Sequence, residues 1–180
     1  MVILGIDPGI SSTGYGIIRA ENGQPVWEGW GVIGQGAAMP SPQRLNRIFE
    51  GVCSVIEQYR PDHMAIEDIF YSKNVRSTLI IGQARGVAIL ASVRAGISIS
   101  EYAPRAVKQA VVGSGAASKE QVQFMVKRLL NLQDREIEAD AADALAIAIC
   151  HANRIQIEEL SRQSATAPRS RGKDRGCSPG

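Results

Sequence analysis

The opening stretch MVILGIDPG constrains this chain more than any other. Val2, Ile3, Leu4 and Ile6 form a short apolar run with β-branched side chains, the pattern of a buried strand. Asp7 follows at once, and Pro8-Gly9 turns the chain. The acid has two readings. In one it is a turn residue that hydrogen-bonds the backbone ahead of it. In the other it closes a buried strand, where an isolated carboxylate costs on the order of several kcal/mol unless a cation or donors compensate it. Acids farther along the chain weigh toward the second.

Residues 12–20 read as a second strand and 25–35 as a third, joined through Asn22-Gly23, the strongest short-range hairpin signal. The three make an antiparallel meander. The alternation in PVWEGWGVIGQ is imperfect. A helix is predicted over Ser41–Tyr59, with Ser41 as cap, Pro42 in the first turn and Leu45, Ile48, Phe49, Val52, Val55 and Ile56 on one face. Arg60-Pro61-Asp62 ends it. His63–Ile69 is a fourth strand, with Glu67-Asp68 at its end, followed by a polar loop, Phe70–Ser77.

Thr78–Ala95 is a second helix rich in Gly and Ala, which permits close approach of either the sheet or a second copy of the chain. Ile97–Tyr102 is a fifth strand. A short helix over Arg105–Val112 breaks at Gly113-Ser114-Gly115, and Ser118 starts another over Lys119–Asn131. That break, flanked by Lys108 and Lys119, is either an ordinary turn or a place where backbone amides approach phosphate. The last long helix runs from Asp140 to about Leu160. Residues 1–160 thus form one expected domain, and 161–180, polar, basic and rich in Pro, Gly and Ser, read as a disordered tail.

Several function classes drop out. No run of about 18 apolar residues exists, so no membrane span is expected. The first strand begins at the N-terminus with no room for a signal peptide, which predicts a cytoplasmic protein. Cys53, Cys150 and Cys177 form no CxxC pair, so neither a disulfide framework nor a zinc knuckle is favoured. With His63 and His151 as the only histidines, a Ser/His/Asp triad is unsupported, and no GxxxxGK[ST] loop is present. Charge, however, is segregated. Residues 1–71 carry four Lys/Arg against eight Asp/Glu, while 72–128 carry nine, Lys73 and Arg76 among them, against two. That fits an anion-binding face beside a carboxylate site, or a solvated helical surface.

Four acids stand out: Asp7, Glu67, Asp140 and Asp143. Two end apolar strands. The other two, three apart in a helical first turn, share a face. Asp140 and Asp143 suit a helix start in any protein. Yet the helix that follows, ALAIAI, is small and apolar almost all round and must be buried, so its acidic start faces a site. Oxygen-only donors suit hard cations such as Mg²⁺ or Mn²⁺. Two such ions about 4 Å apart activate water and stabilise the leaving oxygen in phosphodiester cleavage. The element order predicts an α/β chain with a five-stranded mixed sheet, meander plus parallel strands, and helices on both faces. That resembles the ribonuclease H-like fold.

The resemblance goes beyond fold. GIDPG and TGYG near the start, AIE at 65–67, GQARGVA at 82–88, VKQAVVG at 107–113 and ADAADALAIA at 139–148 resemble, in order, the RuvC family of Holliday-junction resolvases, over about residues 2–153. The resemblance implies a homodimeric, Mg²⁺-dependent endonuclease with one or two ions per subunit, Mn²⁺ substituting. Such an enzyme nicks two strands of like polarity in a four-way DNA junction and leaves 5′-phosphates. The family's catalytic acids fall on Asp7, Glu67, Asp140 and Asp143. Its phosphate-binding lysines fall on Lys108 and Lys119, and its base-stacking aromatic on Phe70. Lys73 and Arg76 are further expected DNA contacts. A branch-migration helicase, the RuvA–RuvB complex, is an implied partner. Two rivals remain: an actin- or sugar-kinase-like ATPase, whose first strand reads similarly, and a junction-binding protein without nuclease activity.

Overall fold

In the computed structural model, residues 1–9, 11–21, 23–34, 39–68 and 75–166 are described. The strands are β1 (Val2–Pro8), β2 (Ser12–Glu21), β3 (Gln24–Gly34), β4 (His63–Glu67) and β5 (Ser98–Tyr102). The helices are α1 (Ser41–Tyr59), α2 (Val75–Arg94), α3 (Pro104–Val112), α4 (Lys119–Leu129) and α5 (Ala139–Thr166). The sheet has the order β3-β2-β1-β4-β5. β1 and β2, like β2 and β3, pair antiparallel; β4 pairs parallel to β1 and to β5. The expected meander-plus-parallel mixed sheet is the one observed.

Strand alternation divides the core. Leu4, Ile6, Ile17, Met64 and Ile66 pack with α1 and α2 on one face. Ile3, Ile18, Ala65 and Tyr102 pack with α3, α4 and α5 on the other. β1, in the middle and buried on both faces, therefore reads as a continuous apolar run. The small side of α2, Ala84, Ala88 and Ala91, is buried in the first layer, so packing on the rest of the domain accounts for it.

Several boundaries differ from expectation. Asp7 and Pro8 lie inside β1, opposite Gly14 and Thr13, rather than in a turn. A proline at the last position of a strand costs no interior ladder bond. α1 is capped by Pro40 without a side-chain bond, so Ser41 is its first helical residue and not its cap. α2 begins at Val75, inside the stretch expected as loop. α5 continues past Leu160 to Thr166, supported by the Arg154–Glu158 pair one turn apart and by the Ser161 hydroxyl on the Ile157 carbonyl. Residues 161–166 of the stretch expected as tail are therefore helical, and 167–180 lie outside the described residues.

The uneven pattern of β3 has a physical cause. Ile17 faces Gly29 and Ile18 faces Trp27, so Glu28 is an extra residue, a β-bulge. The bulge turns Trp27 to the same face as Trp30, with ring centroids 5.2 Å apart. The Arg135 guanidinium stacks over Trp27 at 4.7 Å, tying the segment before α5 to the sheet. The free thiol of Cys150 is buried, which pushes it up to about 11 and leaves it inert.

Candidate active site

Register brings the first two acids together. β1 and β4 run parallel with Ile6 beside Ile66, so Asp7, next to last in β1, and Glu67, last in β4, follow on neighbouring strands on the face covered by α5.

The other two arrive with α5. Asp7 is paired with Gly14 across the β1–β2 ladder. A β-carbon on Gly14 would stand 2.0 Å from the Asp140 carbonyl oxygen, and one on Gly5 would stand 2.0 Å from that of Ala144. The two glycines remove the side chains that would hold α5 off the sheet. The helix backbone rests on the strands, and its first turn stands over the residue opposite Asp7. From Ala144 to Cys150 every residue of α5 is buried, while Asp140 and Asp143 keep partial exposure.

The electrostatics follow from this convergence. Burial raises the Asp7 carboxyl, and the charges of Asp143, Glu67 and Asp140 raise it further, against a lowering by Lys119, to about 7. Burial and then Asp143 raise Glu67, while Lys108 and Lys119 lower it. Lys119 Nζ lies 2.5 Å from Asp143 Oδ2, and that bond raises the ammonium above its ordinary range. Among the described residues no three metal-type donors are closed into a ligand shell. Asp143 is held by Lys119, and Asp140 accepts a hydrogen bond from the Ser12 hydroxyl.

α3 and α4 form the rim. Glu67, Lys108, Lys119 and Asp143 line a cleft of about 210 Å³ together with Pro104, Val107, Val122 and Ala146. Lys119 is placed there because Ser118 caps α4 in a reciprocal box with Gln121. The glycine break has an ordinary explanation. Gly113 ends α3 with φ +80°, the Gln109 side-chain amide donates to the Gly113 carbonyl, and the Gly115 amide donates back to Gln109. The Gly115 amide is therefore spent within the turn and not offered to phosphate.

Of the other predicted site residues, Arg76 is exposed in the first turn of α2 and is not among the charges acting on Asp7 or Glu67. Phe70 and Lys73 lie outside the described residues. Two residues went unnoticed in the sequence. Ser12 is indistinguishable there from Ser11 and Thr13. Arg85, from α2, donates to the Glu67 carbonyl at 3.3 Å and pairs with the Glu101 carboxylate, bracing the end of β4.

Fold and site together define an endonuclease of the ribonuclease H-like class. The model of the family described as "Crossover junction endodeoxyribonuclease RuvC" matches residues 3–151. The Geobacter metallireducens crossover junction endodeoxyribonuclease RuvC is 52% identical over 162 residues, covering 90% of this chain and 98% of that protein. Its Vibrio cholerae counterpart is 49% identical over 171 residues, covering 94% and 98%. The structure of Thermus thermophilus RuvC in complex with a Holliday junction substrate superposes with a TM-score of 0.82 at 33% identity, covering 88% of this chain and 96% of that one. The chain belongs to the RuvC family of crossover junction endodeoxyribonucleases. The yeast mitochondrial Holliday junction resolvase Ydc2, 14% identical with a TM-score of 0.64, shares the fold. Among the described residues no helix is long and apolar enough to cross a membrane.

Proposed function

We propose that this chain resolves four-way DNA junctions in the cytoplasm by symmetric paired nicks, with Asp7, Glu67, Asp140 and Asp143 holding Mg²⁺ or Mn²⁺, one or two ions per subunit. The observation that carries the reading is that carboxylates from β1, β4 and the first turn of α5 act on one another around Asp7, beside a cleft in which Glu67 and Asp143 face Lys108 and Lys119.

The donor set fits a hard divalent cation. It is all oxygen, and the burial and neighbouring negative charges that together raise Asp7 are both offset by a bound positive charge. Lys119 on Asp143 already plays that part in this structure. When bound, the ion supplies an activated water and stabilises the leaving oxygen. The protein contributes the rest. Lys108 and Lys119 present ammonium groups to the scissile phosphate and offset the charge that builds on it. A phosphate in the cleft competes with Asp143 for the Lys119 protons. Arg85 keeps the Glu67 backbone in place from the opposite face of the sheet. Phe70, Lys73 and Arg76 are assigned to the junction arms and the unpaired bases at the crossover.

A homodimer suits a substrate with near-twofold symmetry. Its support is the outer side of α2, where Val75, Leu79, Leu90 and Val93 are each more than half exposed along one stripe, with open space over Gly86. The branch-migration complex RuvA–RuvB is the proposed partner on the same junction. The reading is tested by Mg²⁺-dependent nicking of a synthetic mobile junction, with Asp7→Asn as control. The variant is expected to bind the junction without cutting it. Equal cutting by variant and parent removes Asp7 from the mechanism, and ATP hydrolysis without DNA cleavage replaces the reading altogether.

A further inference from the structure

β2, which supplies none of the four acids, supplies a different group to their site. Ser12 opens β2, and its hydroxyl donates to Oδ2 of Asp140, 128 positions away in sequence. Two features fix the hydroxyl. A β-carbon on Gly9 would stand 2.3 Å from the Ser12 carbonyl oxygen, so the turn from β1 closes tightly on Ser12 because residue 9 lacks a side chain. Alternation then sends residues 12, 14 and 16 to the α5 face, while Tyr15 and Ile17 go to the other layer. Gly14 receives the Asp140 backbone, and Ser12 receives its side chain. β2 therefore holds Asp140 at both ends of the residue.

We infer that Ser12 is a positioning residue, whose hydroxyl holds the Asp140 carboxylate in the orientation in which the site takes up its divalent cation. The inference rests on the nuclease reading above. A carboxylate has two oxygens. One engaged by a fixed hydroxyl leaves the other directed and unable to swing away, so less rotamer freedom is lost when a cation arrives. Outer partners of metal ligands typically contribute 10- to 100-fold in affinity. The competing role is a plain tether between β2 and α5, which would act on stability alone.

The test is a titration of the full-length chain with Mn²⁺ alone, following free Mn²⁺ by electron paramagnetic resonance, for the parent, Ser12→Thr, Ser12→Val and Ser12→Ala. Thr and Val are near-isosteric and differ in the hydroxyl. Ser12→Thr is expected to bind Mn²⁺ within about threefold of the parent, and Ser12→Val and Ser12→Ala about 10-fold more weakly, all four binding the junction equally in EDTA. Thermal melting in EDTA is read in parallel. Lowered melting with unchanged Mn²⁺ affinity assigns Ser12 to a tether and overturns the inference. Equal or tighter Mn²⁺ binding by both hydroxyl-free variants overturns it as well. A parent that binds no Mn²⁺ overturns the nuclease reading together with this one, so the two failures are distinguishable.

Discussion

Lys119 bonds Asp143 across the cleft, with Nζ 2.5 Å from Oδ2. One ammonium thus serves as counter-charge to the acids, and in the proposed function it also binds the phosphate. Lys119→Met removes both functions, and they separate by measurement. Mn²⁺ affinity is expected to rise several-fold as a competing cation leaves, while junction nicking falls about 100-fold. Parallel losses in both quantities would show that Lys119 supports the acids rather than opposing the metal.

Gly14→Ala tests how α5 is seated. The added methyl meets backbone at Asp140, which has no flexible end to yield. Unfolding in urea is expected to show a loss of about 3 kcal/mol, with nicking falling as the first turn of α5 lifts from Asp7.

Asp7 couples the site to stability. Its carboxyl stands at about 7 in the folded chain against an ordinary 3.8, so ionisation is disfavoured by folding. The penalty is absent below about pH 4, grows as pH rises toward 7 and is complete above it. Asp7→Asn is therefore expected to stabilise the metal-free protein at pH 8, by on the order of 2–4 kcal/mol, and to leave it nearly unchanged at pH 4. Added Mg²⁺ should raise the melting temperature of the parent and not of the variant.

His151 acts in the opposite direction. It is buried, its Nδ1 bonds the Tyr102 hydroxyl at 2.7 Å, and its ring lies 5.1 Å from that of His63. Burial first, then the charges of His63 and Arg154, lower it to about 4 from an ordinary 6.5. The folded chain thus resists protonation. Stability is retained above about pH 6.5 and lost as pH falls toward 4, by roughly 3 kcal/mol from this group. In an Asp7→Asn background, which removes the opposing trend, His151→Phe should flatten the fall in urea stability between pH 6.5 and 4.5.

Leu90→Glu places a charge on the outer stripe of α2, where Leu90 is 52% exposed. Sedimentation is expected to give a monomer, since an interface closing over that carboxylate would desolvate it. Junction cleavage should lose its paired character and yield single nicks. A variant that sediments as a dimer moves the contact away from α2.

The fold was legible in the sequence because its signals are local. Apolar runs of strand length, Asn22-Gly23, and the small apolar stretch of α5 each report what a few neighbouring residues must do. Acids in apolar company made Asp7, Glu67, Asp140 and Asp143 visible for the same reason, since burying charge is costly enough to need an explanation. The end of the first strand, the cap of α1 and the start of α2 were misplaced, where competing local preferences differ by little.

What the chain alone determined is which groups have to be compensated: four carboxylates that a single domain must bring close to something positive. Only the tertiary structure decided how. The Glu28 bulge reverses the face of Trp27 and anchors the segment before α5 through Arg135. Bare α-carbons at Gly5 and Gly14 let the helix down onto the strands. Ser12, one hydroxyl among three alike, acquires its partner 128 positions away through strand alternation and helix placement. Contacts of that kind depend on where two distant backbones meet, and no periodicity within a window of residues encodes that meeting point.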